Sequence, residues 1–368
     1  ALSSDATFVF RAKAVDPAGN TSACSAATLS YTRDTTAPTI SSFVKKVGQG
    51  TPTNALPVEF TLTFSEAMNG ATITAADFSQ DPAATATGVT WSVATVSSTV
   101  YTISATAITG NGTVIPKLAI TSVADPSGNT NAAAASSTDT ITYDTVAPTI
   151  SSFVKKVGQG TPTNALPVEF TLTFSEAMNG ATITAADFSQ DPAATATGVT
   201  WSVATVSSTV YTISATAITG NGTVIPKLAI TSVADPAGNT NAAAASSTDT
   251  ITYDTTAPTI SSFVKKVGQG TPTNALPVEF TLTFSEAMNG ATITAADFSQ
   301  DPAATATGVT WSVATVSSTV YTISATAITG NGTVIPKLAI TSVADPSGNT
   351  NAAAASSTDT ITYDTTAP

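Results

Sequence analysis

Four aspartates recur along this chain at a fixed interval. Asp34, Asp144, Asp254 and Asp364 stand 110 residues apart, and each opens an Asp-Thr-X-Ala-Pro segment. Behind the first come further oxygen donors, Glu66, Asp125, Asn129 and Asp139. Behind the second and third come Glu176, Asp235, Asn239 and Asp249, then Glu286, Asp345, Asn349 and Asp359. The sequence has no His, and its one Cys is Cys24. This removes the commonest general base, the commonest transition-metal ligand and any intrachain disulfide. Carboxylate and amide oxygens by themselves select a hard cation. Calcium suits them best, because it accepts about six to eight oxygens in loose geometry, whereas magnesium demands a stricter octahedron and tends to keep its waters. The competing reading is turn chemistry. Asp-Pro-X-Gly-Asn is a good turn sequence by itself, and an Asp before Thr-X-Ala-Pro can cap a strand end.

The elements that must position these donors come in whole-domain units. Between the marks the copies differ almost nowhere: Val146 replaces the Thr of positions 36, 256 and 366, and Ala237 replaces the Ser of positions 127 and 347. A period this long is one domain rather than part of one. The expected modules are 34–143, 144–253 and 254–363. Residues 1–33 read as the last third of a divergent module, and 364–368 as a linker to another. Phe8 to Asn20 parallels Val114 to Asn129, and both stretches carry Asp-Pro-X-Gly-Asn.

Within a module, residues 58–64 (Val-Glu-Phe-Thr-Leu-Thr-Phe) alternate apolar and polar side chains, the mark of a strand with one buried face. Further strands are expected at 39–45, 89–96, 99–106, 113–122 and 139–143. Turn sequences separate them, and Pro116 marks an edge or a bulge. Thr74 to Phe78 forms one short turn at most, and the 132–135 Ala run reads as a loop. About seven short strands per repeat predict an all-β fold of tandem antiparallel sandwiches in an extended array, with Trp91 as core anchor. In such a sandwich the second and sixth strands end at the pole where the linker enters and the last strand begins. That pole would gather Asp34, Glu66, Asp125, Asp139 and the Asn129 amide oxygen. Converging carboxylates either take up protons or hold a cation.

Charge narrows the partners. Twelve basic and 24 acidic residues give a net charge of −12, spread evenly over the repeats. An acidic surface of this kind repels nucleic acid and anionic lipid. No apolar run approaches the length of a membrane span. The other chemical candidates are weak. Asp77 and Asp81 have no nucleophile or base beside them, Lys45-Lys46 is too short for a basic patch, and Gly48-Gln49-Gly50 lacks the Lys-Ser/Thr of a phosphate loop. No catalytic constellation emerges, and the chain is expected not to be an enzyme.

Taken together, the Asp-Thr-Thr-Ala-Pro linker, Phe64-Ser65-Glu66-Ala67-Met68, Thr74-Ala75-Ala76-Asp77-Phe78 and Asp125-Pro126-Ser127-Gly128-Asn129 resemble bacterial immunoglobulin-like (Big) domains. These occur in tandem in large surface adhesins and biofilm proteins. The resemblance covers all three copies. It implies an extracellular stalk at a bacterial surface, whose junctions are stiffened by calcium. Its partners would be neighbouring modules of the same chain. Two alternatives stay open: lateral self-association into an extracellular filament or sheath, and a glycan- or protein-binding module.

Overall fold

A computed structural model describes residues 5–367. The alternating segment forms strand β4 of the series β1 (Ala6–Phe10), β2 (Leu29–Arg33), β3 (Ile40–Lys45) and β4 (Val58–Phe64). Val58, Phe60, Leu62 and Phe64 are fully or almost fully buried, while Glu59, Thr61 and Thr63 are half-buried. Glu59 is covered because its Oε2 accepts from Lys46 Nζ at 2.8 Å. The first repeat continues with β5 (Phe78–Gln80), β6 (Thr90–Thr95), β7 (Val100–Ala107), β8 (Gly112–Val114), β9 (Pro116–Leu118), β10 (Ala135–Ser136) and β11 (Ile141–Tyr143).

These strands build two antiparallel layers. One layer has the order β3-β4-β7-β6. The other has β9 between β5 and β10, with β8 paired to β11. Counting β8 with β9 and β10 with β11 as interrupted single strands, the layers read first-second-fifth-fourth and third-sixth-seventh. That is the seven-strand immunoglobulin constant-type topology. The strand pairs recur at the same positions in the second and third repeats. Phe43 of one layer meets Phe60 beside it and Phe78 of the other layer edge-on, with ring centroids 6.4 and 6.3 Å apart. Three apolar cores result, spanning Phe43 to Tyr143, Phe153 to Tyr253 and Phe263 to Tyr363, each inside one repeat.

Several local expectations change. The sixth strand is shorter than 113–122 and is broken at Ile115, because Pro116 has no N–H to give the ladder. Gln80 splints the break: its Oε1 accepts the Ile115 N–H at 3.1 Å and its Nε2 donates to the Ala86 carbonyl at 3.2 Å. The Ala run does not end in loop, since Ala135 and Ser136 pair with Leu118 and Lys117. Trp91 lies on an outer strand and is part of the first core at 9% exposed, with Trp201 and Trp311 packed half-buried against theirs, but the largest fully buried side chains are Tyr101 and Phe60 with their repeats. The single turn at Ala75–Asp77 is present, and Asp77 Oδ2 closes it by accepting from Thr74 N and Oγ1.

The chain forms two compact units. One comprises Ala1–Pro148 with Ala234–Asn241, the other Thr149–Val233 with Ala242–Pro368. Among the described residues no helix is long and apolar enough to cross a membrane.

Candidate metal centre

The Asp125 loop is built from its own hydrogen bonds. Asp125 Oδ1 accepts from Asn129 N at 2.8 Å, and Oδ2 accepts from Asn129 Nδ2 at 2.7 Å. The backbone closes the turn from both sides, with Asp125 N donating to Asn129 O and Gly128 N donating to Asp125 O. Gly128 sits at φ +92°, which only glycine adopts readily. Residues 16–20 form the same loop with the same bonds, so the parallel between the leading segment and the repeats holds in three dimensions.

Asp125 is 1% exposed. Burial pushes its carboxyl up, yet the Asn129 side-chain amide and the backbone amides of Asn129, Ser127 and Gly128 outweigh that, so it titrates below the usual aspartate range. One oxygen of each of Asp34, Glu66 and Asp125 lies within 4.8 Å of the other two. The same holds in the second unit for Asp254, Glu286 and Asp345. Burial, and then the charges of Asp34 and Asp125, push Glu66 above the usual glutamate range. Burial, then Asp254 and Asp345, do the same to Glu286.

This donor set fits a calcium ion. Calcium–oxygen distances of about 2.3–2.6 Å put two ligand oxygens of one ion at most ~5 Å apart. All three groups are carboxylates, and hydrogen bonding leaves lone pairs on Asp125 for a further contact. Asp34, Glu66 and Asp125, or Asp254, Glu286 and Asp345, would hold the ion, which would supply positive charge between groups that otherwise repel.

Of the two other expected ligand types, one lies elsewhere and one stands at the cluster with its amide nitrogen turned toward it. Asp139 does not join the cluster: its Oδ2 accepts the Lys45 N–H at 2.9 Å, at the far end of β3. Asp249 and Asp359 hold Lys155 and Lys265 in the same way. The last strand starts at Ala135 rather than Asp139, so Asp139 sits well up the sandwich; the length of β3 is worth about 16 Å. Asn129 stands beside the cluster, but its amide points Nδ2 inward. That nitrogen donates to Asp125 Oδ2 and to the Asp34 carbonyl at 3.2 Å. Asn239 and Asn349 donate likewise to the Asp144 and Asp254 carbonyls, at 3.0 and 2.9 Å. Their Oδ1 atoms accept from Asn54 and Asn164 Nδ2, both at 3.0 Å, so these oxygens are already engaged.

Four asparagines escaped the sequence reading. In the second unit Asn221 Nδ2 donates to Asp254 Oδ1 at 2.7 Å, so the preceding repeat aims the linker carboxylate. Asn111 treats Asp144 likewise at 2.9 Å. Asn164 grips the next repeat's loop through its side chain and through its N–H, which donates to the Ser347 carbonyl at 3.1 Å. Asn131 is fully buried and makes four bonds, accepting from Ser122 N and Val123 N and donating to the Ala119 and Ala133 carbonyls. Asn111 lies in Gly-Asn-Gly, which reads as a turn, and Asn131 lies just past the Asp125 loop; only their distant partners reveal their work. Asp81, by contrast, is structural, accepting from Ser136 Oγ and Ala83 N.

Fold and site together define a class: tandem immunoglobulin-like sandwiches with an acidic triad where the linker enters. No protein-family model matches the chain, and no curated protein does. Among solved structures it is similar to the Escherichia coli adhesin FdeC, at 16% identity and TM-score 0.41, over 89% of this chain and 96% of that one. It is also similar to the N-terminal part of the bacterial S-layer protein SbsC, at 14% identity and TM-score 0.22, over 60% of this chain and 44% of that one. A third likeness is to domains of titin, at 9% identity and TM-score 0.28, over 89% of this chain and 99% of that one. At identities this low the likeness concerns fold alone.

Proposed function

We propose that the chain is a structural extender of a bacterial cell-surface adhesin, exported from the cell and stiffened by calcium where each module meets the next. One observation carries this reading. In the second unit the linker aspartate Asp254 is held by Asn221 before it and brought within 4.8 Å of Glu286 and Asp345 after it. A cation there would tie linker and module together. The repetition adds support, because a stalk gains reach with every copy whereas an enzyme gains little from identical sites in series. The repetition also favours a second reading, a self-assembling extracellular filament or sheath, because identical surfaces recur at a fixed step.

Titration calorimetry of the full chain with calcium tests the proposal. Binding to the Asp34–Glu66–Asp125 and Asp254–Glu286–Asp345 triads, abolished by chelator, is expected, and absence of heat with no change in melting would rule it out. Small-angle scattering with calcium and with chelator reads the stiffening. An unchanged maximum dimension counts against it.

A further inference from the structure

In the layer β3-β4-β7-β6 the outer strands are β3 and β6. Strand β3 is capped from the side: Thr138 N donates to the Phe43 carbonyl and Lys45 N to Asp139 Oδ2, both at 2.9 Å. In the other layer the outer strands β5 and β10 have three and two residues, and Asp77 and Asp81 flank β5. Short length and charge are the devices that keep sheet edges apart. Strand β6 has neither. Its six residues, Thr-Trp-Ser-Val-Ala-Thr, include no charge and no proline. Val96 N donates to the Val100 carbonyl, so Ala94 and Ser92 exchange bonds with Thr102 and Ser104 of β7. Backbone alternation then turns the N–H and C=O of Trp91, Val93 and Thr95 away from β7. Among the described residues none bonds to them. The turn at Ala75–Asp77 lies near β6, but Asp77 N and O bond to Thr74 and Ala119. The register shift leaves β6 straight: Thr90 faces Ala107 and Trp91 faces Ala105, so the extra residue, Thr106, is on β7.

Charge also sets this edge apart. No charged residue lies between Asp81 and Lys117. The four strands of the layer hold one acid, Glu59, which Lys46 Nζ neutralises at 2.8 Å. In a chain of net charge −12, two copies repel across most of their surface and meet at least cost along an uncharged strip. The side chains of Trp91 and Val93 pack on the core, and the alternate residues Ser92 and Ala94, on the outer face, are small. The same edge, in the same register, recurs inside the other repeats at Thr200–Thr205 and Thr310–Thr315.

We propose that β6 pairs with the β6 of a second copy of this chain, antiparallel about a two-fold axis at Val93. The N–H and C=O of Val93 bond those of Val93 in the copy, and Thr95 bonds Trp91 on both sides of the axis. The two four-stranded layers then run on as one sheet. On the outer face Ala94 comes opposite Ser92, and these small side chains let the backbones close. A second copy suits this edge because it brings the same uncharged strip and a self-complementary row of donors and acceptors. The contact is short and made by main chain, so it is weak singly and gains strength where several repeats pair at once. It supplies a surface for lateral association, uses no cation and stands apart from the calcium reading.

Disulfide trapping of full-length chains in chelator tests it. One chain carries Ala94→Cys, Ala204→Cys and Ala314→Cys, the other Ser92→Cys, Ser202→Cys and Ser312→Cys, both with Cys24→Ser. In the proposed register these positions form non-hydrogen-bonded pairs with Cα atoms about 4.5 Å apart, within reach of a disulfide. The control partner carries Val47→Cys, Val157→Cys and Val267→Cys, at side chains each 99% exposed elsewhere. The Ser92-series partner is expected to cross-link about tenfold more than the control, the equivalent of one or two net hydrogen bonds. Adding Thr95→Pro, Thr205→Pro and Thr315→Pro to both chains deletes an outward N–H that no bond within the chain uses. The yield should then fall to the control level with melting unchanged. Light scattering of the Cys24→Ser chain gives a second measurement that needs no proline. Its mean mass should rise with concentration, and Ala94→Lys, Ala204→Lys and Ala314→Lys, at exposed positions, should abolish the rise. Equal yields for the two partners, or a mass that does not rise or that ignores the three lysines, would overturn the proposal.

Discussion

Glu66 and Glu286 carry the clearest electrostatic signature in the molecule. Both titrate above the usual glutamate range in the fold. Between their unfolded and folded values the folded chain holds protons that the unfolded chain has released, so their contribution to stability falls as pH rises through that window. Asp125 runs the other way: its lowered pKa gives stability that is present above the ordinary aspartate range and lost as pH falls through its folded value. In chelator, then, the melting temperature should peak in mildly acidic buffer rather than at neutrality. Calcium should flatten the neutral side of the peak, because a bound cation favours the ionised carboxylates. Melting curves from about pH 4 to about pH 8 check this, and superimposable profiles with calcium and chelator would remove the cation. Replacing Glu66, Glu176 and Glu286 together by Gln should raise the chelator melting temperature and abolish the calcium-dependent gain. For one site, that gain is about 2.7 kcal/mol at a hundredfold excess over Kd. Glu66 was legible as a donor from residue type and position alone. The direction of the Asn129 amide was not, because an amide offers both a donor and an acceptor and only its neighbours decide which faces the cluster.

At the scale of elements, β4 was readable because seven residues suffice for an alternation to show. Strand β5 was not, because three residues carry no period, and Phe78 to Gln80 become strand only by pairing with Pro116 to Leu118. The same limit hid the start of the last strand, and with it the placement of Asp139. Two side chains hold these irregular places. Asn131→Ala would strip partners from two amides and two carbonyls around a fully buried site, and should cost about 3 kcal/mol or more in urea unfolding. Gln80→Ala removes only the splint at the half-buried Ile115 break, and should cost about 1–2 kcal/mol. A result in which Gln80→Ala is the more damaging of the two would show that the strand break, rather than the Asn131 hub, limits stability.

At the scale of the molecule, each repeat closes its own apolar core, and the hydrogen bonds that pass from one repeat to the next within a unit are made by polar groups. In the second unit they include the Asn164 bonds to Ser347 and Asn349 and the Asn221 bond to Asp254. Asn164→Ala should therefore leave the cores intact and lower protection of the 345–349 amides in hydrogen exchange by about fivefold to tenfold, the worth of a net hydrogen bond. Unchanged protection would mean that the loop is held by its internal bonds alone. Ser347→Trp should have at least the same effect, because the 8% exposure at that position leaves little space for a large side chain.

The sequence by itself determined the repeat, the sandwich class, the acidic charge and the family of oxygen donors. Those follow from composition, from period and from alternation, which are local or statistical properties of the chain. Only the tertiary structure decided which oxygens converge. It grouped the linker aspartate with Glu66 and Asp125 or their counterparts, sent Asp139 to the other end of β3 and gave Asn54 and Asn164 their loops to hold. Convergence depends on strand register and on where each strand begins, and partners dozens of residues away set both.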